Sequence, residues 1–263
     1  MTITQKRNDK ILIPGFDDAP TEMDRGIFIS ASGEWGTGKT EFMCTAPGPI
    51  AFLDMDTGTK GVIEKWAKKK IIKHIQFDYR DSTSAKEWEE MWEKCKKAFL
   101  DALAHPQIRS VCWDTGDEGY ELIKMGRWGK LNKIVMDGKV AMAYPYGPLN
   151  TEFRDMFRKA LHSHKVVIVS HKMQDEYIDK KSTGKRIRTG YKEMEFVVQV
   201  DISTWKRVER NDNGKMTGSV FGITVNKCRP NREIEGTELE EPLSTFPILA
   251  SYIFPDTNPE DWE

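Results

Sequence analysis

Residues Gly33 to Thr40, GEWGTGKT, fit the spacing G-x-x-x-x-G-K-[ST], and each fixed position answers a chemical need. Glycines let the backbone curl until its N–H groups converge on an anion. The lysine reaches the outer phosphates of a bound chain, and the hydroxyl after it can join the shell of Mg²⁺. On this reading Gly33, Glu34, Trp35, Gly36, Thr37, Gly38, Lys39 and Thr40 grip a triphosphate. A nucleoside triphosphate with Mg²⁺ is the implied pair, with Lys39 at the reacting phosphoryl group.

Cleaving a triphosphate also needs a carboxylate to steer water and another to hold the metal. Asp54 and Asp56 close the apolar run PIAFLDMD (Pro49–Asp56), and Asp114 closes the apolar part of RSVCWDTGDE (Arg109–Glu118). Asp114 is assigned to Mg²⁺ beside Thr40. A helix N-cap role for Asp114, Asp117 or Glu118 fits the same stretch. KVVIVS (Lys165–Ser170) delivers His171, read either as a γ-phosphate sensor or as a structural imidazole.

These groups meet only if the elements carrying them form one sheet. GIFISAS (Gly26–Ser32) reads as a buried strand, and TEFMCTA (Thr40–Ala46) as a helix stopped by Pro47 and Gly48, its N-terminus toward the anion. IIKHIQFD (Ile71–Asp78) reads as a strand with Ile71, Ile75 and Phe77 toward one face. Ser84 and Glu87 make a capping box. It opens a helix striped by Trp88, Met91, Trp92, Cys95, Phe99, Ala102 and Leu103. Leu149, Phe153, Met156, Phe157, Ala160 and Leu161 mark another amphipathic helix. Strands alternating with helices imply an α/β fold, a mainly parallel sheet with right-handed crossovers. Ligands then bind at the carboxyl ends of the strands. FVVQVDISTW (Phe196–Trp205) and SVFGITVNK (Ser219–Lys227), joined by a turn at Asn211–Gly214, predict an antiparallel hairpin extending the sheet.

Two stretches lack periodicity. Residues 126–148 read as a long mobile loop. Residues 172–192 read as a second loop, in which Lys180–Lys192 holds six basic residues and no acid. Lys180, Lys181, Lys185, Arg186 and Arg188 can track a phosphate backbone, with a tyrosine ring for stacking. A solvated hairpin tip is the competing reading.

A length of 263 residues suits one large domain or a domain with appendages. Net charge is −1, so any nucleic-acid contact must come from a local patch. Cys44, Cys95, Cys112 and Cys228 form no C-x-x-C pair, and the first three lie in apolar patterns as reduced core thiols. No signal peptide or membrane-length run is visible, which predicts a soluble, cytoplasmic protein with no membrane partner. The chain divides into an arm (1–25), a core (26–230) and a proline-bearing, acidic tail (231–263). The arm is either a disordered tail or a segment docking on a neighbouring subunit.

The order of motifs resembles the RecA-like P-loop NTPase core, and more narrowly the small phage-encoded RecA-like ATPases that include single-strand-annealing recombination proteins. The resemblance spans about residues 26–230. It implies that the acid activating water falls at Asp56, where the family usually has Glu, with Asp54 as competitor. It makes Asp114 the Mg²⁺ acid and His171 the γ-phosphate sensor. It assigns residues 126–148 and 172–192 to DNA-facing loops, and Lys227 or Arg229 to a neighbour's ATP. The implied partners are single-stranded DNA, further copies of the chain in a filament or ring, and a single-strand-binding protein. If phage-encoded, the protein works in the host cytoplasm. A nucleoside or small-molecule kinase and an ATP-binding switch with little turnover are the alternatives.

Overall fold

The computed structural model describes residues 25–78, 82, 84–128, 146–179 and 181–263. β1 (Ile27–Gly33) is buried at every position, as are β2 (Ile50–Asp54), β4 (Ser110–Asp114) and β5 (Val166–His171). Strands this apolar must be covered on both faces, as parallel sheets are. β3 (Ile72–Gln76) lies at the sheet edge. β8 (Val200–Arg210), β9 (Met216–Cys228) and β10 (Glu238–Glu240) complete the other side. Across the sheet the order is β10-β9-β8-β1-β5-β4-β2-β3. β1 pairs in parallel with both β5 and β8, whereas β9 runs antiparallel to β8 and β10. This is a mainly parallel α/β sheet with an antiparallel extension, the architecture of a P-loop NTPase core.

Side chains alternate between the faces with the period of two that a strand imposes. Phe28, Leu53, Trp113 and Val169 point to one core, and Ile29, Phe52, Cys112 and Ile168 to the other. The first core is closed by α3 (Ala85–Ala104), α4 (Gly116–Trp128) and α5 (Tyr146–Leu161). Ser84 accepts from the Glu87 N–H while Glu87 accepts from the Ser84 N–H, so α3 starts where its capping box says. Its stripe buries Trp88, Trp92, Cys95, Phe99 and Leu103. Trp92 stacks on Phe153 of α5, with ring centroids 5.1 Å apart. Each such ring contributes on the order of 1.5–3 kcal/mol by leaving water. The second core lies under α1 (Lys39–Cys44), α2 (Val62–Ala67) and α7 (Phe246–Ile253). All four cysteines are buried and unpaired.

Several expectations change. The stretch 126–148 is helical at both ends, since α4 runs through Trp128 and α5 begins at Tyr146; residues 129–145 lie outside the described part. Within 172–192, β6 (Met173–Ile178) and β7 (Lys181–Arg188) form an antiparallel hairpin instead of an open loop. β3 shows Ile75 to solvent, with Ile71 just before it also exposed, because an edge strand covers only part of the sheet below; Phe77 alone of the three is buried. A short helix, α6 (Met194–Val197), takes the start of the segment expected to be strand from Phe196. The final residues are no loose tail. Phe246, Leu249, Ala250 and Ile253 recur at helical spacing, and Phe254 stacks on Trp262 beneath the sheet. The Phe246 N–H donates to Thr45 Oγ1 at 2.7 Å, tying α7 to the end of α1. The arm before Arg25 lies outside the described residues. Among those described, no helix is long and apolar enough to cross a membrane.

Candidate active site

The phosphate loop leaves β1 at Gly33 and enters α1 at Lys39. Gly36 (φ 72°) and Gly38 (φ 90°) take the left-handed backbone that side chains disfavour, which accounts for those two glycines. A Cβ on Gly33 would stand 2.1 Å from Thr204 Oγ1, so β8 can lie beside the loop only with glycine there. Thr37 Oγ1 donates to the Glu34 carbonyl at 2.8 Å and lies 2.7 Å from Thr204 Oγ1. The loop is thereby shaped by its own threonine and by a strand far along the chain.

Lys39 Nζ donates to the Gly33 and Glu34 carbonyls, both at 2.9 Å. Burial holds this ammonium below the ordinary lysine range, against the pull of Asp114, Asp117 and Asp56. Thr40 Oγ1 donates to Asp114 Oδ2 at 2.6 Å, and the Ser170 hydroxyl donates to the other oxygen. Burial pushes the Asp114 carboxyl up, while those two hydroxyls and Lys39 favour its ionised form. A hydroxyl and a buried carboxylate in contact are hard oxygen donors. Mg²⁺ is commonly held by one or two such groups, with phosphate and water completing the shell. The pair therefore fits the ion, and no all-protein cluster of metal ligands competes among the described residues.

Asp54 and Asp56 differ in what they face. Asp54 is buried, accepting from Thr59 Oγ1 at 2.5 Å and from the Asp56 N–H at 3.0 Å, with His74 Nε2 at 3.3 Å. It closes its own turn. Asp56 is half-exposed and lines the cleft with Lys39, Thr40 and Asp114. His171 is 1% exposed at the tip of β5, and neither ring nitrogen has a hydrogen-bond partner among the described residues. Burial, then the Arg188 and Lys39 charges, holds the imidazole well below its usual range, hence neutral.

The cleft encloses about 680 Å³, within the span of roughly 300–1,000 Å³ common for small-molecule sites. The phosphate loop forms one end, while Val62, Trp66, Phe221 and Pro242 make the other largely apolar. A neighbouring groove of about 610 Å³ beyond Trp66, lined by Pro49, Ile71, Pro247 and Ile248, holds none of the phosphate-loop residues. Chemistry, not size, therefore selects the cleft.

A family model described as AAA domain matches residues 25–212. The chain belongs to this AAA-domain family. It is a P-loop ATPase by descent as well as by loop. No curated protein matches the chain.

The AAA domain also carries residues for which its motif pattern gives no role. Lys172 donates to Glu118 and stands 3.6 Å from Asp56 Oδ2. Asp117 accepts from Thr189 Oγ1 at 2.9 Å. Asp117 and Glu118 are visible in sequence only as cap candidates, and Lys172 only as the neighbour of His171. Thr204 and Phe221 give no local signal, since they reach the cleft through strand register.

The basic residues separate. Tyr191, the ring of the basic run expected to stack on bases, is buried with its hydroxyl donating to Glu193 at 3.0 Å, so it is withdrawn from that role. Lys181 and Lys185 are exposed on the hairpin, near exposed Tyr177 and Ile178. Lys180 lies outside the described residues. Arg186 turns back to Glu34 of the phosphate loop (2.6 Å) and to Asp175 (2.7 Å). Arg188 points inward, donating to Asp201 at 2.8 Å and Ser30 at 2.9 Å. Its charge is neutralised within the fold, which removes it from the nucleic-acid set. Lys227 donates to the Glu195 and Val198 carbonyls, and Arg229 to the Phe196 carbonyl at 2.5 Å, so both brace α6. Cys228 pairs with Val200, which pairs with Ile29, so this pair sits toward the end of the sheet away from the phosphate loop.

Proposed function

We propose that the protein is an Mg²⁺-dependent ATPase of the RecA-like type that binds single-stranded DNA and promotes recombination or annealing. The observation carrying this reading is that a basic hairpin, β6–β7, springs directly from the strand ending in His171. It touches the phosphate loop through Arg186 and Glu34. A strand of nucleic acid on Lys180, Lys181 and Lys185, with Tyr177 for stacking, would lie one ion pair from the triphosphate. Asp56 activates the water, His171 senses the outermost phosphate, and Lys39, Thr40 and Asp114 hold triphosphate and metal. Copies of the chain assemble as a ring or filament, with Lys227 and Arg229 offered to a neighbour and a single-strand-binding protein as a further partner. We further infer, from the resemblance of its motif order alone, that the protein is phage-encoded and acts in the host cytoplasm.

ATP hydrolysis measured with and without an oligo-dT strand tests this reading. Stimulation is expected, and the joint Ala substitution of Lys180, Lys181 and Lys185 removes DNA affinity while sparing nucleotide binding. The salt slope of binding should fall by about 0.7 per lost phosphate contact. DNA affinity untouched by the triple substitution contradicts the assignment. The reach of Arg186 to Glu34 favours a second reading, in which the hairpin is a lid over the phosphates of a nucleoside kinase. Phosphoryl transfer to a nucleoside, unaffected by DNA, would select it.

A further inference from the structure

Lys172 directly follows the imidazole, and the mechanism so far gives it no task. Its Nζ donates to Glu118 Oε1 and lies 3.6 Å from Asp56 Oδ2. Its main chain is pinned on both sides. The N–H donates to Asp117 Oδ1 at 3.4 Å, and the carbonyl accepts from the Thr189 N–H at 2.9 Å and Oγ1 at 3.0 Å. Burial alone would lower its pKa, but Glu118, Asp56 and Asp117 outweigh that and hold it above the ordinary lysine range, so it is charged.

We propose that Lys172 is a positioning residue for hydrolysis, holding the Asp56 carboxylate at the phosphate end of the cleft with Glu118 as its anchor. The inference rests on Asp56 being the water-activating group. Asp56 lies beyond the end of β2, in the turn before Thr57–Thr59, so the sheet does not fix its side chain. Asp is one methylene shorter than Glu, which leaves little tolerance in reach. A misplacement of about 1 Å costs on the order of 10²-fold in rate. Lys172 directly follows β5, a strand buried in the middle of the sheet; its main chain is tied to Asp117 and Thr189, and its far side is braced by α4 through Glu118. A merely structural bridge between β5 and α4 would show in stability and leave chemistry alone.

The test uses the full chain with ATP and Mg²⁺, in Lys172→Ala, Lys172→Arg, Asp56→Asn and the double variant Lys172→Ala/Asp56→Asn. Turnover, KM, affinity for a non-hydrolysable ATP analogue and the melting temperature are read for each. Lys172→Ala should lower kcat by about 10²-fold, as mispositioning does. Analogue affinity should stay within about threefold, since the interaction lost is not a ground-state contact. Lys172→Arg, which keeps a long cation, should recover much of the rate. Added to Asp56→Asn, Lys172→Ala should cost nothing further, because the two act as one unit. Full turnover in a folded Lys172→Ala variant, losses that multiply in the double variant, or a matching loss of analogue affinity would each overturn the proposal. Wild-type protein without turnover would instead sink the hydrolase reading itself.

Discussion

Thr40 and Asp114 are hydrogen-bonded across 2.6 Å, joining the first turn of α1 to the tip of β4. They are far apart in sequence, and only the parallel sheet brings them together. The second carboxylate oxygen of Asp114 is held by Ser170 at the tip of β5. Three elements thus converge on one buried acid and fix the orientation of its carboxylate. Preorganisation of this kind is what lets a charged site act without reorganising during reaction.

Breaking that pair should abolish metal-dependent chemistry and leave the fold standing. Thr40→Ala and Asp114→Asn are each expected to lower kcat by about 10²-fold or more, the scale of losing one preorganised electrostatic group. The dependence on Mg²⁺ concentration should shift upward in Thr40→Ala. Mg²⁺ titrations of hydrolysis, with thermal melts as the folding control, check this. Unaltered titration curves in both variants would remove the pair from the metal site.

His171 makes a prediction about acid stability. Its folded pKa lies well below the usual 6.5 because of burial, then Arg188 and Lys39. The unfolded chain takes up a proton near pH 6.5 while the folded one resists. Below that pH the unfolded state binds more protons, so stability falls as pH drops. The effect vanishes above about pH 7 and grows by up to about 1.4 kcal/mol per pH unit below pH 6.5, until the folded pKa is reached. Denaturant melts of wild type and His171→Asn between pH 7 and 5 should diverge toward acid, with the wild type losing more. Parallel pH dependences would mean that the imidazole is not held neutral.

Much of this arrangement is legible in sequence wherever a local rule suffices. The loop Gly33–Thr40, the capped helix from Ser84 and the acid-ended strand at Asp114 follow from spacing, caps and apolar runs. So does the turn at Asn211–Gly214, where the Asn211 N–H donates to the Lys215 carbonyl at 2.9 Å. Register and partner choice lie beyond such rules. Nothing local says that Thr204 would brace Thr37, or that Arg188 would be spent on Asp201 and not on a ligand. Charge alone suggests a DNA contact at Arg188, but burial decides otherwise. The helical spacing from Phe246 to Ile253 lies among prolines, which by local rules mark a break; Pro247 sits in the first turn, where its missing N–H costs nothing. Asp54 and Asp56 could be told apart only once the turn after β2 showed which one closes on Thr59 and which one faces the cleft.

The central claim is that Gly33–Thr40 grips a nucleoside triphosphate with its metal, and calorimetric titration of ATP into wild type and Lys39→Ala, with and without Mg²⁺, tests it most directly. The account predicts one saturable site per chain in the wild type, weakened when Mg²⁺ is removed. Lys39→Ala, melting at the wild-type temperature, should lose it. Equal ATP affinity in wild type and the folded Lys39→Ala variant would contradict it.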